Sequence, residues 1–278
     1  MKGWRLLLVV FLLLALAGCQ QDPVAETDTY GNEGMGNHLM RFKHEDEEYT
    51  LYLMAMDLDI RKRAKFEGYE FALYMDDQLV SRQEMNEFQF DPKDFMEAPV
   101  DLKYEIYFEE ELVRSFSLEN FMIYQGKEDE FIDLDTYKKA EALLLMGVDS
   151  LAPVDYLGKL KTLFVWYSDL DYLGPVGNMK GVKNLVFERC HKINDLGPIG
   201  DSANLESLAI IDCDQVSDVS PLVKASKLQY VYLAACTGIE EVAMLADLED
   251  LVYVDLMGCY NIQDLERLKE STTAEVHT

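Results

Sequence analysis

The 278-residue sequence predicts a multidomain chain, an N-terminal antiparallel β-sandwich followed by a short solenoid of about six rungs. Two observations carry this. Between residues 38 and 126 apolar and polar side chains alternate at period two, as in half-buried strands. Between residues 137 and 270 the chain repeats itself. Pro153, Pro175, Pro198 and Pro221, then Met244 and Arg267, fall at intervals of 22, 23, 23, 23 and 23. Self-similarity at such a period marks stacked repeats.

The front end predicts where the chain works. Residues 1–18 read as a secretory signal, with Lys2 and Arg5 before the apolar run LLLVVFLLLALA, too short and wrongly flanked for a spanning helix. The ending Leu16-Ala17-Gly18-Cys19 resembles a bacterial lipobox. That resemblance implies cleavage before Cys19, diacylglycerol on its sulfur and an acyl chain such as palmitate on its amine. Such chains bury enough CH₂, at about 0.8 kcal/mol each, for stable anchoring. An ordinary signal peptide with a chance cysteine is the alternative. Gln20, where an Asp would resemble an inner-membrane retention signal, implies the outer membrane in a cell that has two. Residues 19–37 then form the lipidated end and a polar, glycine-containing tether. No later run reaches the ~18 apolar residues of a span. The expected location is outside the cytoplasm, at a membrane surface.

Charge narrows the partners. With 25 Lys+Arg against 52 Asp+Glu, the surface repels nucleic acid and anionic headgroups, so neither is expected to bind the body of the protein. A hydrophobic content of 49% still supplies a core.

Within residues 38–126, VDLKYEIYF points Val100, Leu102, Tyr104, Ile106 and Phe108 one way and Asp101, Lys103, Glu105 and Tyr107 the other. Similar runs occupy 38–45, 48–59, 69–75, 87–90 and 111–118, with turns at Asp76-Asp77-Gln78 and Glu109-Glu110-Glu111 short enough for hairpins. Six or seven short strands suggest a sandwich. Its size and rhythm resemble immunoglobulin-like or fibronectin-like domains, although the Cys…Trp…Cys signature is missing. Residues 127–136 connect it to the repeats, and residues 271–278 read as a tail.

In the repeats one apolar column runs Leu163, Leu185, Leu208, Val231, Val254, and a second Val165, Phe187, Ile210, Leu233, Leu256. The pattern resembles the leucine-rich-repeat family, LxxLxLxxN/CxxI, and its I-x-D-L-x-P-L portion the bacterial internalin type. The resemblance implies a strand, a turn and a return segment per repeat, whose inward columns form a core only when stacked.

It also places the cysteines. Cys190, Cys213, Cys236 and Cys259, 23 apart, fall at the Asn/Cys position, which in this family turns inward and hydrogen-bonds turn backbone. Disulfides, metal binding and nucleophilic catalysis are the alternatives to a buried structural ladder. Stacked rungs would hold the side chains parallel at roughly 4.8 Å, whereas a disulfide needs Cβ atoms nearer ~3.8 Å. A metal needs converging ligands, and one line of thiols does not converge. A second ladder, Asp195, Asp218, Glu241 and Asp264, caps the convex segments or, alternatively, gathers Ca²⁺.

Strand residues between the inward columns should face out on the concave side. One row reads Phe164, Val186, Ala209, Tyr232, Asp255; another reads Trp166, Glu188, Ile211, Ala234, Met257; Tyr167, Tyr230 and Tyr253 flank them. Aromatics among acids suit protein recognition, though such a row could instead stiffen the sheet or be covered. Catalysis is not expected. Of His38, His44, His191 and His277 only His191 lies within the repeats, and beside an inward Cys190 it would point away. Phosphate loops, G-x-S-x-G and H-E-x-x-H are missing. The sequence thus predicts a lipid-anchored recognition module for an unknown protein, without cofactor or metal. The alternative is a structural spacer in an envelope assembly, with the N-terminal β domain making the contact.

Overall fold

A computed structural model describes residues 39–44, 47–52, 68–84, 98–126 and 134–278. They fall into two compact units that divide between Phe121 and Met122. Cys19 and the tether lie outside the described residues, as does the strand expected at 87–90. No described helix is long and apolar enough to cross a membrane.

The first unit is antiparallel. Strands β1 (Leu39–His44) and β2 (Glu47–Tyr52) pair from Leu39↔Tyr52 to His44↔Glu47. Strands β3 (Tyr69–Met75), β4 (Gln78–Glu84), β5 (Val100–Phe108) and β6 (Glu111–Gln125) form a second sheet in the order β6, β5, β3, β4. Two-residue turns join β3 to β4 and β5 to β6. Both residues of each turn, Asp76-Asp77 and Glu109-Glu110, have positive φ, which matches the twist of the strands they connect. Strand β4, QLVSRQE, escaped the sequence reading because its residues do not alternate cleanly. Packing of the sheets into the expected sandwich rests partly on residues outside the described set.

Period two holds in β5. Leu102, Tyr104 and Ile106 are buried together with Phe71 and Leu73 of β3, and Phe71 and Tyr104 stack at 5.2 Å. The other face carries a charged network. Tyr107 donates to Glu105 at 2.5 Å, Lys103 pairs with Glu105 at 3.1 Å, and Arg82 joins Glu70 and Glu110 while lying 4.2 Å above the Tyr107 ring. Burial pushes the Glu105 carboxyl up, but hydrogen bonds from Tyr107 and Tyr74 and the Lys103 ammonium hold it below its ordinary value.

The second unit is a solenoid. Helix α1 (Leu134–Tyr137) precedes seven parallel strands: β7 (Ala142–Met146), β8 (Thr162–Trp166), β9 (Asn184–Glu188), β10 (Ser207–Ile211), β11 (Tyr230–Tyr232), β12 (Tyr253–Asp255) and β13 (Glu275–His277). The register is unshifted, so Leu163, Leu185 and Leu208 lie side by side, as do Val231, Val254 and Val276. The convex side is made of single helical turns. Those at Ala152–Val154, Gly174–Asn178, α2 (Gly197–Gly200) and Ser220–Lys224 each open on the proline column, where the missing N–H would have no helical partner. Ala243–Asp247 and α3 (Leu265–Ser271) complete the series without proline. One apolar core runs through the coil from Met122 and Tyr124 to Leu268.

Two boundaries differ from the sequence expectation. Met122 and Tyr124, read as part of the β domain, pack in the solenoid core. Residues 275–277, read as tail, form β13 beside β12. One valine between Glu275 and His277 is too short a pattern to stand out, but Val276 extends the leucine column.

Candidate interaction surface

Each strand ends in the same way. Gly147, Tyr167, Arg189, Asp212, Ala235 and Gly258 all have positive φ, and only two of the six are glycine. Their left-handed turn stops the strand and points the next side chain inward. The N–H groups tie each rung to the following one: Tyr167 to the Glu188 carbonyl at 3.0 Å, Arg189 to Ile211 at 2.9 Å, Asp212 to Ala234 at 2.9 Å.

After the last four of these turns the inward residue is a thiol. Cys190, Cys213, Cys236 and Cys259 are buried and unbridged. Every sulfur reaches a carbonyl of the preceding rung. Cys190 lies 3.5 Å from Val165 O, Cys213 3.9 Å from Phe187 O and Cys236 3.3 Å from Ile210 O, while Cys259 reaches Leu233 O. Burial raises Cys236 to about 12 and Cys259 to about 11. Cys213 is also pushed up, chiefly by its hydrogen bond with Cys190 and then by burial. A thiol so held is a poor nucleophile. Ser168 begins the ladder, donating to Trp166 O at 2.8 Å and accepting from Val148 N–H at 3.2 Å. Its hydroxyl hides it among the thiols in the sequence, although it stands 22 residues before Cys190, the spacing of Pro153 and Pro175.

Three of the four carboxylates, Asp195, Asp218 and Asp264, cap backbone N–H groups. Asp195 accepts the Gly197 N–H at 2.8 Å and Asp218 the Ser220 N–H at 2.9 Å. Ser150 does the same for Ala152 in the first rung at 3.1 Å. Asp264 differs, since it caps the preceding rung through the Val242 and Ala243 N–H groups at 2.8 and 2.9 Å. Glu241 lines a hollow with Asp264 and Arg267.

The concave rows depart from expectation. Phe164, Trp166, Glu188, Ile211, Tyr232, Tyr253 and Asp255 were expected to face solvent, and all seven are buried. None belongs to the core inside the coil, so they lie on the opposite face of the sheet. The physical reason is readable in the strands: ALLLM, TLFVW and SLAII are nearly continuous apolar runs, the mark of a parallel strand covered on both faces. Alternation sorts side chains between faces but does not say that either face is wet. Val186, Ala209 and Ala234 of the same rows are buried as well, so three of the thirteen named residues stay accessible. Tyr230 and Met257 are half-buried, and Tyr167 is 39% exposed.

Tyr167 sits in a fixed array across three rungs. Arg189 donates to the Tyr167 hydroxyl at 2.5 Å and to Asp212 at 3.1 Å, with its guanidinium 5.2 Å above the tyrosine ring. Burial first, then the charges of Glu188 and Asp212, push the Tyr167 hydroxyl up. His191 and Asp214 pair two positions further along at 3.1 Å. His191 therefore points away from the thiol beside it in sequence. Arg189 and Asp212 went unnoticed in the sequence because each is a lone charge at an unremarkable position; only the shared 23-residue spacing links them.

Parallel strands at this period, inward thiols at the strand ends and proline-opened convex turns settle the architecture. The solenoid has a leucine-rich-repeat-like fold. No protein-family model and no curated protein matches this chain. Among solved structures it is similar to internalin C2 of Listeria monocytogenes, with 26% identity and a TM-score of 0.39 over 43% of this chain and 52% of that one. Internalin F of the same organism gives 16% identity and 0.37 over 52% and 55%. The leucine-rich-repeat domain of the type III effector XopL gives 14% identity and 0.37 over 56% and 75%. The matched part spans about half the length of either internalin.

Proposed function

We propose that this protein is a lipid-anchored envelope protein whose solenoid recognises another protein. The observation that carries the reading is the Tyr167–Arg189–Asp212 array, an accessible aromatic held by a guanidinium and a carboxylate on neighbouring rungs. A pre-oriented aromatic contributes contact area without losing much side-chain freedom on binding, and Tyr and Arg are prominent among binding hot spots. Tyr230 and Met257 extend the accessible surface. The buried concave residues Phe164, Trp166, Tyr232 and Tyr253 stiffen the sheet beneath it. The signal-like residues 1–18 and the Leu16–Cys19 sequence support anchoring through Cys19, on the outer membrane where a cell has two.

The test places a photo-crosslinking residue at Tyr230 in intact cells and identifies the captured protein. Tyr167→Ala is then expected to weaken its affinity about tenfold with the melting temperature unchanged; unchanged affinity overturns the reading. Cys19→Ala is expected to move the protein from the membrane fraction to the soluble one.

A second reading makes the solenoid a spacer and the β domain the contact. Leu79 and Val80 of β4 favour it, being 54% and 47% exposed. Leu79→Ser with Val80→Ser would then abolish capture while Tyr167→Ala left it intact.

A further inference from the structure

Because the solenoid strands are parallel and unshifted, their C-terminal ends and the loops that follow lie along one edge, and the segments leading into them lie along the other. The two edges differ in charge. The strand-end loops 147–151, 167–173, 189–196, 212–219, 235–242 and 258–264 carry ten carboxylates against Arg189 and Lys192. The lead-in segments 155–161, 179–183, 201–206, 225–229 and 248–252 carry five carboxylates and five lysines. Three exposed tyrosines stand on the acidic edge, Tyr167 at 39%, Tyr172 at 69% and Tyr260 at 88%. We propose, resting on the reading that the Tyr167 array contacts a protein, that this edge binds a lysine- or arginine-bearing segment of that partner, laid across the rungs from Tyr167 and Tyr172 to Tyr260.

The protein displays the chemistry on its own rungs. The Arg189 guanidinium lies 5.2 Å from the centre of the Tyr167 ring and donates to the Asp212 carboxylate at 3.1 Å. An aromatic face and a carboxylate thus hold one cation together, and each attracts it. Tyr172 and Tyr260 offer further rings to solvent among the carboxylates of these loops. Tyr172 follows Asp171 and occupies the column in which Asp195 and Asp218 cap, so an exposed ring replaces a charged cap there. A Cβ at Gly174 would meet that ring at 2.0 Å, so the glycine leaves it room. Tyr260 occupies the column of Asp169 and Asp214. The cations of this edge are already engaged, Arg189 with Asp212 and Lys192 with Asp169 at 3.0 Å. A partner therefore meets a surplus of negative charge. A lone exposed ion pair adds little, but a row of like charges steers an oppositely charged segment and fixes its register. Tyr172 and Tyr260 follow β8 and β12, four strands apart in the sheet. At about 4.8 Å per strand that is roughly 19 Å, which an extended segment of about six residues spans.

Fluorescence anisotropy of the full chain with a labelled peptide of alternating arginine and serine, about ten residues long, tests this. Binding is expected, weakening about tenfold between about 0.05 and 0.3 M salt, and the glutamate–serine counterpart should not bind. Tyr172→Ser with Tyr260→Ser, and separately Asp171→Asn with Glu240→Gln, should each weaken binding about fivefold or more at an unchanged melting temperature. Asp201→Asn with Glu249→Gln removes as much charge from the other edge and should leave binding within about twofold. An arginine peptide that does not bind overturns the proposal, and so does a tyrosine pair without effect. Equal weakening by the two carboxylate pairs overturns it too, since attraction would then follow net charge alone. The peptide should also compete with the protein captured at Tyr230. If Tyr167→Ala weakens that capture but the peptide does not compete, recognition by the solenoid stands and the cationic partner falls. Capture that Tyr167→Ala leaves unchanged removes the underlying reading instead.

Discussion

The Cys236 thiol faces two carbonyls at once, Ile210 O on the preceding rung at 3.3 Å and Ala234 O on its own at 3.6 Å. One S–H serves one acceptor at a time, so each thiol lends a weak, movable hydrogen bond to the turn, and Ala234 O takes it beside the Asp212 N–H that it already accepts. This role needs a neutral thiol, and pH tests it. Unfolded cysteine titrates near about 8.5, whereas burial lifts Cys236 to about 12 and Cys259 to about 11. Above the unfolded value the unfolded chain has lost protons that the native state retains. The stabilisation is thus complete below that pH and declines as pH climbs toward the raised native values. Calorimetry is expected to show the melting temperature falling above about pH 9, less steeply in Cys236→Ala. Equal slopes would remove the thiols from the explanation. Native protein at pH 8 should also resist thiol reagents that label all four repeat cysteines after denaturation.

Trp166 provides the test of the covered concave face. Its side chain is buried, and the indole Nε1 has no hydrogen-bond partner. Burying an unpaired donor is costly, so Trp166→Phe gives up area but also removes that cost. It is expected to lose under about 1.5 kcal/mol, against about 3–5 kcal/mol for Trp166→Ala. Trp4 is the other tryptophan of the chain. Fluorescence of a Trp4→Phe protein therefore reports on Trp166 alone. Blue-shifted emission that acrylamide quenches poorly is expected; an easily quenched, red-shifted indole would contradict the burial of these rows.

The outcome at Trp166 shows where sequence reasoning stops. Repeats are legible because every rung solves the same packing problem, which fixed Leu163, Leu185 and Leu208 in one column and the prolines in another. Asp195 and Asp218 were legible as caps for the same reason. Non-periodic features were not. Ser168 does the work of a ladder cysteine with a different atom, and Asp264 has the right spacing but caps the wrong rung. The concave rows failed differently: their apolarity was visible, but solvent was assumed on one side of a sheet whose strands carried the composition of two-sided burial. In the first unit β5 was readable from its strict alternation and β4 was not, since Leu79 and Val80 are adjacent and both exposed.

Glycines between rungs offer a sharper stability test than the apolar columns. A Cβ on Gly238 would lie 2.7 Å from both Asp214 O and Val216 O, and one on Gly200 only 2.2 Å from Pro221 O. These are backbone atoms of a neighbouring rung and cannot step aside singly. Gly238→Ala and Gly200→Ala are each expected to cost about 2 kcal/mol or more in urea unfolding. Gly174 is the control. Its Cβ would meet the Tyr172 ring at 2.0 Å, but that ring is 69% exposed and can swing into solvent. Gly174→Ala should stay within about 0.5 kcal/mol of wild type. Equal losses at all three positions would mean that rung spacing is not what the glycines protect.

Asp264 closes a contact that the other carboxylates of its column do not. Asp195 and Asp218 each accept one exposed N–H two residues ahead, so losing either is expected to cost about 1 kcal/mol or less. Asp264 instead spans two rungs, one oxygen on Val242 N–H and the other on Ala243 N–H, and both of those residues are buried. Asp264→Ala strands two donors that water reaches poorly, so about 2 kcal/mol or more is expected in urea unfolding. Asp264→Asn keeps one acceptor oxygen and should recover about half of that. Because the two N–H groups open the Ala243–Asp247 turn, their exchange should accelerate in Asp264→Ala while the β9 and β10 amides keep their protection, since solenoid rungs couple mainly to their neighbours. An Asp264→Ala protein no less stable than Asp218→Ala would show that the cross-rung contact is incidental.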